Sequence, residues 1–168
     1  PLLNADGTLR GYRGSDTDIT ERKRAEEALK RERNTAQQYL DIVGTMVVAL
    51  DADATVGLIN QTGCRLLGYN EEEIVGKNWF ETVLPERVRE EVKSIFVQML
   101  AGIIEPVEYF ENDVLTKNGE ERTVAWHNEL LRDEAGHIIG TLSSGEDITA
   151  RKQMEEELRT AARTDRLT

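Results

Sequence analysis

Alternation of apolar and polar residues marks two short strands, residues 46–50 and 56–60, joined by the turn Asp51-Ala52-Asp53-Ala54. Residues 61–67 then read as a short helix ended by Gly68, since glycine readily takes the left-handed conformation that closes a helix. Asn70 caps a second short helix, 71–74, which Gly76 stops. Pro85 precedes a longer helix, 86–100. Its Val88, Val92, Ile95, Phe96 and Met99 recur at helical spacing and form one apolar face, and Gly102 ends it. Three longer strands follow, 107–116, 122–131 and 137–146, separated by the turns Lys117-Asn118-Gly119 and 133–136. The order is two strands, four helical pieces and three antiparallel strands. It predicts an α+β fold: one five-stranded antiparallel sheet with helices on one face.

A different pattern flanks this block. Residues 21–43 contain no Gly or Pro and are rich in Ala, Leu, Glu, Lys, Arg and Gln, which predicts a helix. Ala25, Leu29, Glu32, Ala36, Tyr39 and Val43 step by four and three, a heptad seam with a charge at one core position. Residues 151–163 continue the style, with Met154, Leu158 and Ala161 on the seam. Two short seams suit a parallel dimer with adjustable pairing; packing against the domain fits them as well.

The two helices belong to a repeat. A shift of 129 residues superposes Gly7, Gly11, Ser15, Asp18, Ile19, Thr20, Arg22 and Lys23 on identical residues from Gly136 to Lys152. A repeat this long is a whole domain plus linker. Residues 1–20, a turn and then a strand-like stretch to Ser15, thus read as the final hairpin of a preceding copy. Each copy ends in a strand, the tripeptide Asp-Ile-Thr and a charged helix. Thr20 and Thr149 are placed to cap those helices. Asp18 with Arg22, and Asp147 with Arg151, are four apart and could tie strand end to first turn. These six residues are the candidate signal relay. The plainer alternative is a capped helix with an exposed ion pair worth under about 1 kcal/mol.

Composition narrows the function. No apolar run nears the roughly 20 residues of a membrane span. Residues 41–150 hold 21 acids and 8 bases, net −13, whereas the remainder has 11 acids and 13 bases, net +2. An acidic globular part disfavours nucleic acid, whose phosphates need Lys and Arg. The single cysteine, Cys64, excludes an internal disulfide framework and suits a reducing, cytoplasmic setting. With Pro1 opening in mid-domain, the sequence reads as a piece of a longer protein, which leaves the cytoplasmic part of a membrane-anchored protein open. No Ser-His-Asp or Cys-His set and no phosphate loop is arranged for catalysis. His127 and His137 are expected on strands, without partners at metal spacing. Cys64 reads as a small buried hydrophobe.

The stretches Asn60-Gln61-Thr62-Gly63-Cys64-Arg65-Leu66-Leu67-Gly68-Tyr69 and Glu72-Glu73-Ile74-Val75-Gly76-Lys77-Asn78-Trp79-Phe80 resemble the PAS domain family. Arg132-Asp133-Glu134-Ala135-Gly136 and Gly145-Glu146-Asp147-Ile148-Thr149 match its closing motifs. The resemblance implies a PAS-like sheet at 45–150, a preceding PAS tail at 1–20 and helical linkers at 21–44 and 151–163. Residues 163–168, Arg-Thr-Asp-Arg-Leu-Thr, resemble the opening of a GGDEF-type diguanylate cyclase, so 164–168 would begin that domain. The family implies a pocket between sheet and helices, with Asn60, Trp79, Phe96 and Trp126 as candidate lining; core packing fits the three aromatics equally. The occupant is left unnamed. The residue after Gly76-Lys77-Asn78 is Trp79, not the photoactive Cys of flavin-binding relatives, and residues 86–100 lack the axial His of haem-binding ones. The implied function is sensing and signal transmission to a diguanylate cyclase, as a homodimer through linker helices and PAS core, with a small-molecule ligand or partner as trigger. The alternatives are a ligand-free dimerisation spacer and the sensor region of a histidine kinase, although no stretch resembles a phosphoacceptor helix.

Overall fold

The computed structural model describes residues 2, 3, 5, 9–11, 13–106 and 109–167, in two compact units, Pro1–Tyr39 and Leu40–Thr168. In the first, β1 (Leu2–Leu3) and β2 (Leu9–Gly11) pair antiparallel and α1 (Arg13–Ile42) follows. The hairpin register places Leu2 opposite Gly11 and Leu3 opposite Leu9, with an irregularity between Leu2 and Leu3. After the 129-residue shift this is the register of Leu131 with Gly140 and Arg132 with Ile138, irregularity included.

The two copies then part. The expected strand to Ser15 stops at Gly11, and the helix expected from residue 21 starts at Arg13. Asp18, Ile19 and Thr20 therefore lie inside α1, so Thr20 caps no helix start. The Asp18 side chain lies outside the described residues, and Arg22 stands 3.9 Å from Glu26. The cause is the absence of neighbours. A strand needs partners for its backbone groups, whereas a helix satisfies its own. Residues 141–145 are flanked by strands on both edges, and among the described residues no strand pairs with the matching residues 13–16.

The second unit is built from β3 (Met46–Asp51), β4 (Val56–Ile59), α2 (Gln61–Leu67), α3 (Glu71–Ile74), α4 (Trp79–Val83), α5 (Glu86–Leu100), β5 (Phe110–Leu115), β6 (Glu121–Arg132), β7 (Ile138–Asp147) and α6 (Thr149–Leu167). The five strands form one antiparallel sheet in the order β4-β3-β7-β6-β5. The fourth helical piece, unplaced by periodicity, is α4. It is one turn long, too short to show a repeat, and Asn78 caps it by accepting the Glu81 amide at 3.1 Å. Gly68 ends α2 at φ 79°, as its position predicts.

Strand alternation puts Val48, Leu50, Val114, Val124 and Trp126 on one face, in a single core with Leu67, Ile74, Phe80, Val83 and Phe96 of the helices. Gly145 makes this packing fit. A Cβ there would lie 2.7 Å from the Trp126 ring and 2.8 Å from Val124. His127, one residue on, faces away and is exposed. His137 was expected on a strand but sits in the turn before β7, 3.3 Å from Asp133.

Asn60 knots the unit at its entry. It is 0% exposed, and its carboxamide makes four hydrogen bonds. Oδ1 accepts the amides of Val47 at 2.9 Å and Gly63 at 3.0 Å. Nδ2 donates to the carbonyls of Leu40 at 2.9 Å and Thr45 at 2.8 Å. One side chain thus joins the end of α1, the start of β3 and the first turn of α2. Asn60→Leu keeps the volume and leaves up to four backbone groups unpaired. It is expected to destabilise the unit by about 3 kcal/mol or more, read from urea unfolding; a loss under about 1 kcal/mol would disprove the knot.

Candidate functional site

A cavity of about 50 Å³ lies between the sheet and the helices. Its helical wall includes Trp79, Phe80, Ile95, Phe96 and Met99; its sheet wall includes Asn112, Trp126, Asn128, Thr141 and Ser143. Trp79 and Trp126 meet edge to face at 5.8 Å, and Phe80 and Phe96 at 5.3 Å. Ser143 Oγ donates to Asn128 Oδ1 at 2.7 Å. Trp79, Phe96 and Trp126, named from the sequence, are thus brought together. Asn60 is not among the lining residues: its carboxamide is held by backbone groups on the α1 side. Cys64 is buried in α2, also away from the lining, where burial pushes its thiol pKa up, helped by Glu71 and Asp41.

The cavity is small. A water molecule occupies about 30 Å³, and ligand pockets are typically about 300–1,000 Å³. An occupant of ordinary ligand size must therefore push the walls apart. The sheet wall is held by ladders on both sides of β7, whereas Met99 on α5 is unbranched and adaptable.

The strand that carries Thr141 and Ser143 runs straight into α6. At that joint Ile148 is 2% exposed, and its amide donates to the Thr123 carbonyl at 2.9 Å. Thr149 is the first helical residue, not the cap before it. Its hydroxyl accepts the Thr123 amide at 2.8 Å and donates to Asp147 Oδ1 at 2.5 Å. Asp147 Oδ1 also accepts the Thr149 amide at 3.0 Å, so Asp147 holds the turn. The Asp147–Arg151 pair expected from spacing is replaced by another. Asp147 lies 3.4 Å from Arg122 on β6, and Arg151 turns to Glu155 at 4.0 Å and the Tyr109 hydroxyl at 3.4 Å. Strand direction explains this: Asp147 is still in the sheet, opposite Val124, so its carboxylate meets a cross-strand partner before the helix begins.

Two further sets of contacts fasten the joint. Thr123 Oγ1 donates to Asp113 at 2.7 Å, and Asp113 and Glu121 both hold Arg87 at 2.6 Å, so polar contacts lead from α6 to the start of α5. Lys152 meets Glu111 at 2.8 Å, and the Tyr109 hydroxyl donates to the same carboxylate at 2.5 Å. The Lys152 and Tyr109 hydrogen bonds hold the Glu111 carboxyl below the usual carboxylate range, and Glu111 holds Lys152 above its ordinary value. Sequence reasoning missed Lys152, although it recurs as Lys23. Thr123, Asp113, Glu111 and Arg87 carry no local signal, because only strand register brings them to the joint.

A sheet covered on one face by short helices, enclosing a small cavity and leading from its central strand into an exposed helix, is the build of a sensory module. The family model described as "PAS fold" matches residues 40–153, and the chain belongs to that family. The probable diguanylate cyclase DgcE of Escherichia coli (strain K12) is 31% identical over 75 residues, 45% of this chain; those residues span 7% of that relative. The PAS domain of a Colwellia psychrerythraea protein superposes with a TM-score of 0.59 at 18% identity, covering 73% of this chain and 98% of that one. The PAS domain of the Cronobacter turicensis quorum-sensing receptor RpfR, solved in complex with BDSF, does so at 0.52 and 19% identity, covering 64% and 96%. Among the described residues no helix is long and apolar enough to cross a membrane, and no group of three or more His, Cys, Asp or Glu could hold a metal ion.

The Lys152–Glu111 contact sets a pH window for the first turn of α6. A lowered Glu pKa stabilises above the ordinary value of about 4.3 and is lost as pH falls through the lowered one; a raised Lys pKa stabilises below about 10.4 and is lost above it. Amide protection at residues 150–153, taken relative to the intrinsic exchange rate at each pH, is expected to fall on acidification below about pH 4. Glu111→Gln should show faster exchange already at pH 7 and a weaker acid step. An acid step of unchanged size in that variant would remove the contact from the account.

Proposed function

We propose that residues 45–150 act as a sensory domain whose cavity occupant biases strand β7, and that the Asp147-Ile148-Thr149 joint passes the bias to α6. The observation that carries this reading is that one strand serves both ends. Thr141 and Ser143 line the cavity, and six residues after Ser143 the same chain begins the helix. Because the cavity is small, an occupant of ordinary ligand size must displace its walls, so the empty and occupied states differ in packing. A ligand shifts an equilibrium only by its differential affinity for two states, and that difference in packing supplies it.

The receiving end is a homodimer of linker helices. Leu29 and Tyr39 of α1 are 57% and 69% exposed, and Met154 and Leu158 of α6 are 64% and 67% exposed, so both seams are uncovered in one copy. Short seams of this kind pair weakly enough to be re-registered by a few kcal/mol. Residues 1–20 are the tail of a preceding PAS copy, which the repeated hairpin register supports. Downstream, the resemblance at 164–168 and the similarity to DgcE favour a diguanylate cyclase as output, in the cytoplasm. A second reading, a ligand-free dimerisation spacer, draws on the small cavity.

The test uses the full-length protein. Thr149→Val removes the hydroxyl that joins Thr123 to Asp147, and Asp147→Ala removes the turn. Each is expected to change basal cyclic-di-GMP synthesis at least about fivefold, the effect of a coupling near 1 kcal/mol, while the isolated domain still unfolds cooperatively. Unchanged synthesis in both variants would favour the spacer.

A further inference from the structure

We propose that the cavity takes a small, uncharged molecule with one hydrogen-bonding edge and an apolar body, and discriminates against anions of the same shape. This rests on the cavity being the sensing site and names the chemistry of its occupant. Three observations carry it.

The described lining contains no ionisable side chain: its polar groups are the Asn112 and Asn128 carboxamides, the Thr141 and Ser143 hydroxyls and the indole N–H groups of Trp79 and Trp126. Together these offer donors and acceptors without formal charge. A carboxylate entering there would lose its water and meet no cation, and burial of an unpaired charge is strongly unfavourable. The carboxamides and hydroxyls are also gathered on one side. Asn128 stands opposite Ser143, and Thr141 lies two residues along the same strand, so they form one patch on β6 and β7. The facing wall of Trp79, Phe80, Ile95, Phe96 and Met99 is aromatic and aliphatic. The occupant must therefore be polar on one edge and apolar on the other. Finally, residues 41–150 carry a net charge of −13, so the field around the domain opposes the approach of anions.

The chain supplies its own reporter. It has two tryptophans, and both line the cavity. With indole nitrogens labelled, two N–H resonances report occupancy directly. Isobutyramide and isobutyrate share one shape and differ in charge. The full chain is titrated with each at equal ionic strength, with amide exchange of α6 followed in parallel. The expected result is saturable movement of both indole signals by isobutyramide, at least tenfold tighter than by isobutyrate, and at least fivefold weaker binding in Thr141→Val/Ser143→Ala. Isobutyrate binding as tightly would overturn the assigned class while leaving an occupied cavity in place. Saturation by neither probe would also overturn it. Discrimination as expected but with α6 exchange unmoved would uphold the chemistry and defeat the relay instead.

Discussion

Strand β7 is the member on which the rest depends. It is laddered to β3 on one edge and β6 on the other, over most of its length. Its backbone groups are therefore satisfied inside the sheet, and it can move only if its neighbours move too. One face of it lines the cavity. Gly145 lies beneath the Trp126 ring, where a side chain would collide. Its end is the start of α6. Thr141 and Ser143, which line the cavity, and Thr149, which opens α6, thus lie on one continuous stretch of chain.

The same sheet brings entry and exit together. Met46, the first residue of β3, stands opposite Gly145 near the end of β7. The segment leading into β3 is held by Asn60, and by Asp41 and Val43, which bond the Gln61 amide and the Thr62 hydroxyl. The segment leaving β7 is held by Thr149, Thr123 and Lys152. Both fastenings are polar and local, built from side chains that each bond backbone or a single charged partner. Buried hydrogen bonds of this kind fix geometry sharply, since a partner displaced by an ångström is a partner lost. The apolar core beneath is less exacting in direction.

Much of the domain was legible because its signals are local. The cap at Asn70, the stops at Gly68 and Gly76, and the apolar face of α5 each lie within a few residues of the element they define. Trp79, Phe96 and Trp126 were recognisable as large aromatics, but the face each presents was not. Asn60 stands outside the cavity lining for an instructive reason: its position is visible in the sequence, but its four partners come from three elements, and no spacing reveals that. The paired Asp147 and Arg151 misled in the same way. A four-residue separation brings side chains together only when both are on one helix, and Asp147 is still in a strand.

What the chain by itself determined is the list of parts: alternation and helical spacing set the elements, turn residues set their ends, and the 129-residue repeat declared a linker that recurs. These follow from backbone geometry over a few residues. Only the tertiary structure decided which edge of which strand meets which. That choice put Thr123 beneath Thr149, Glu111 beneath Lys152 and Asn128 beside Ser143, and residues 13–18 are helix where their counterparts, 142–147, are strand. The reason is physical: a strand's hydrogen bonds and a side chain's ion partner are supplied by residues distant in sequence, so the same Asp-Ile-Thr takes two conformations according to the neighbours around it.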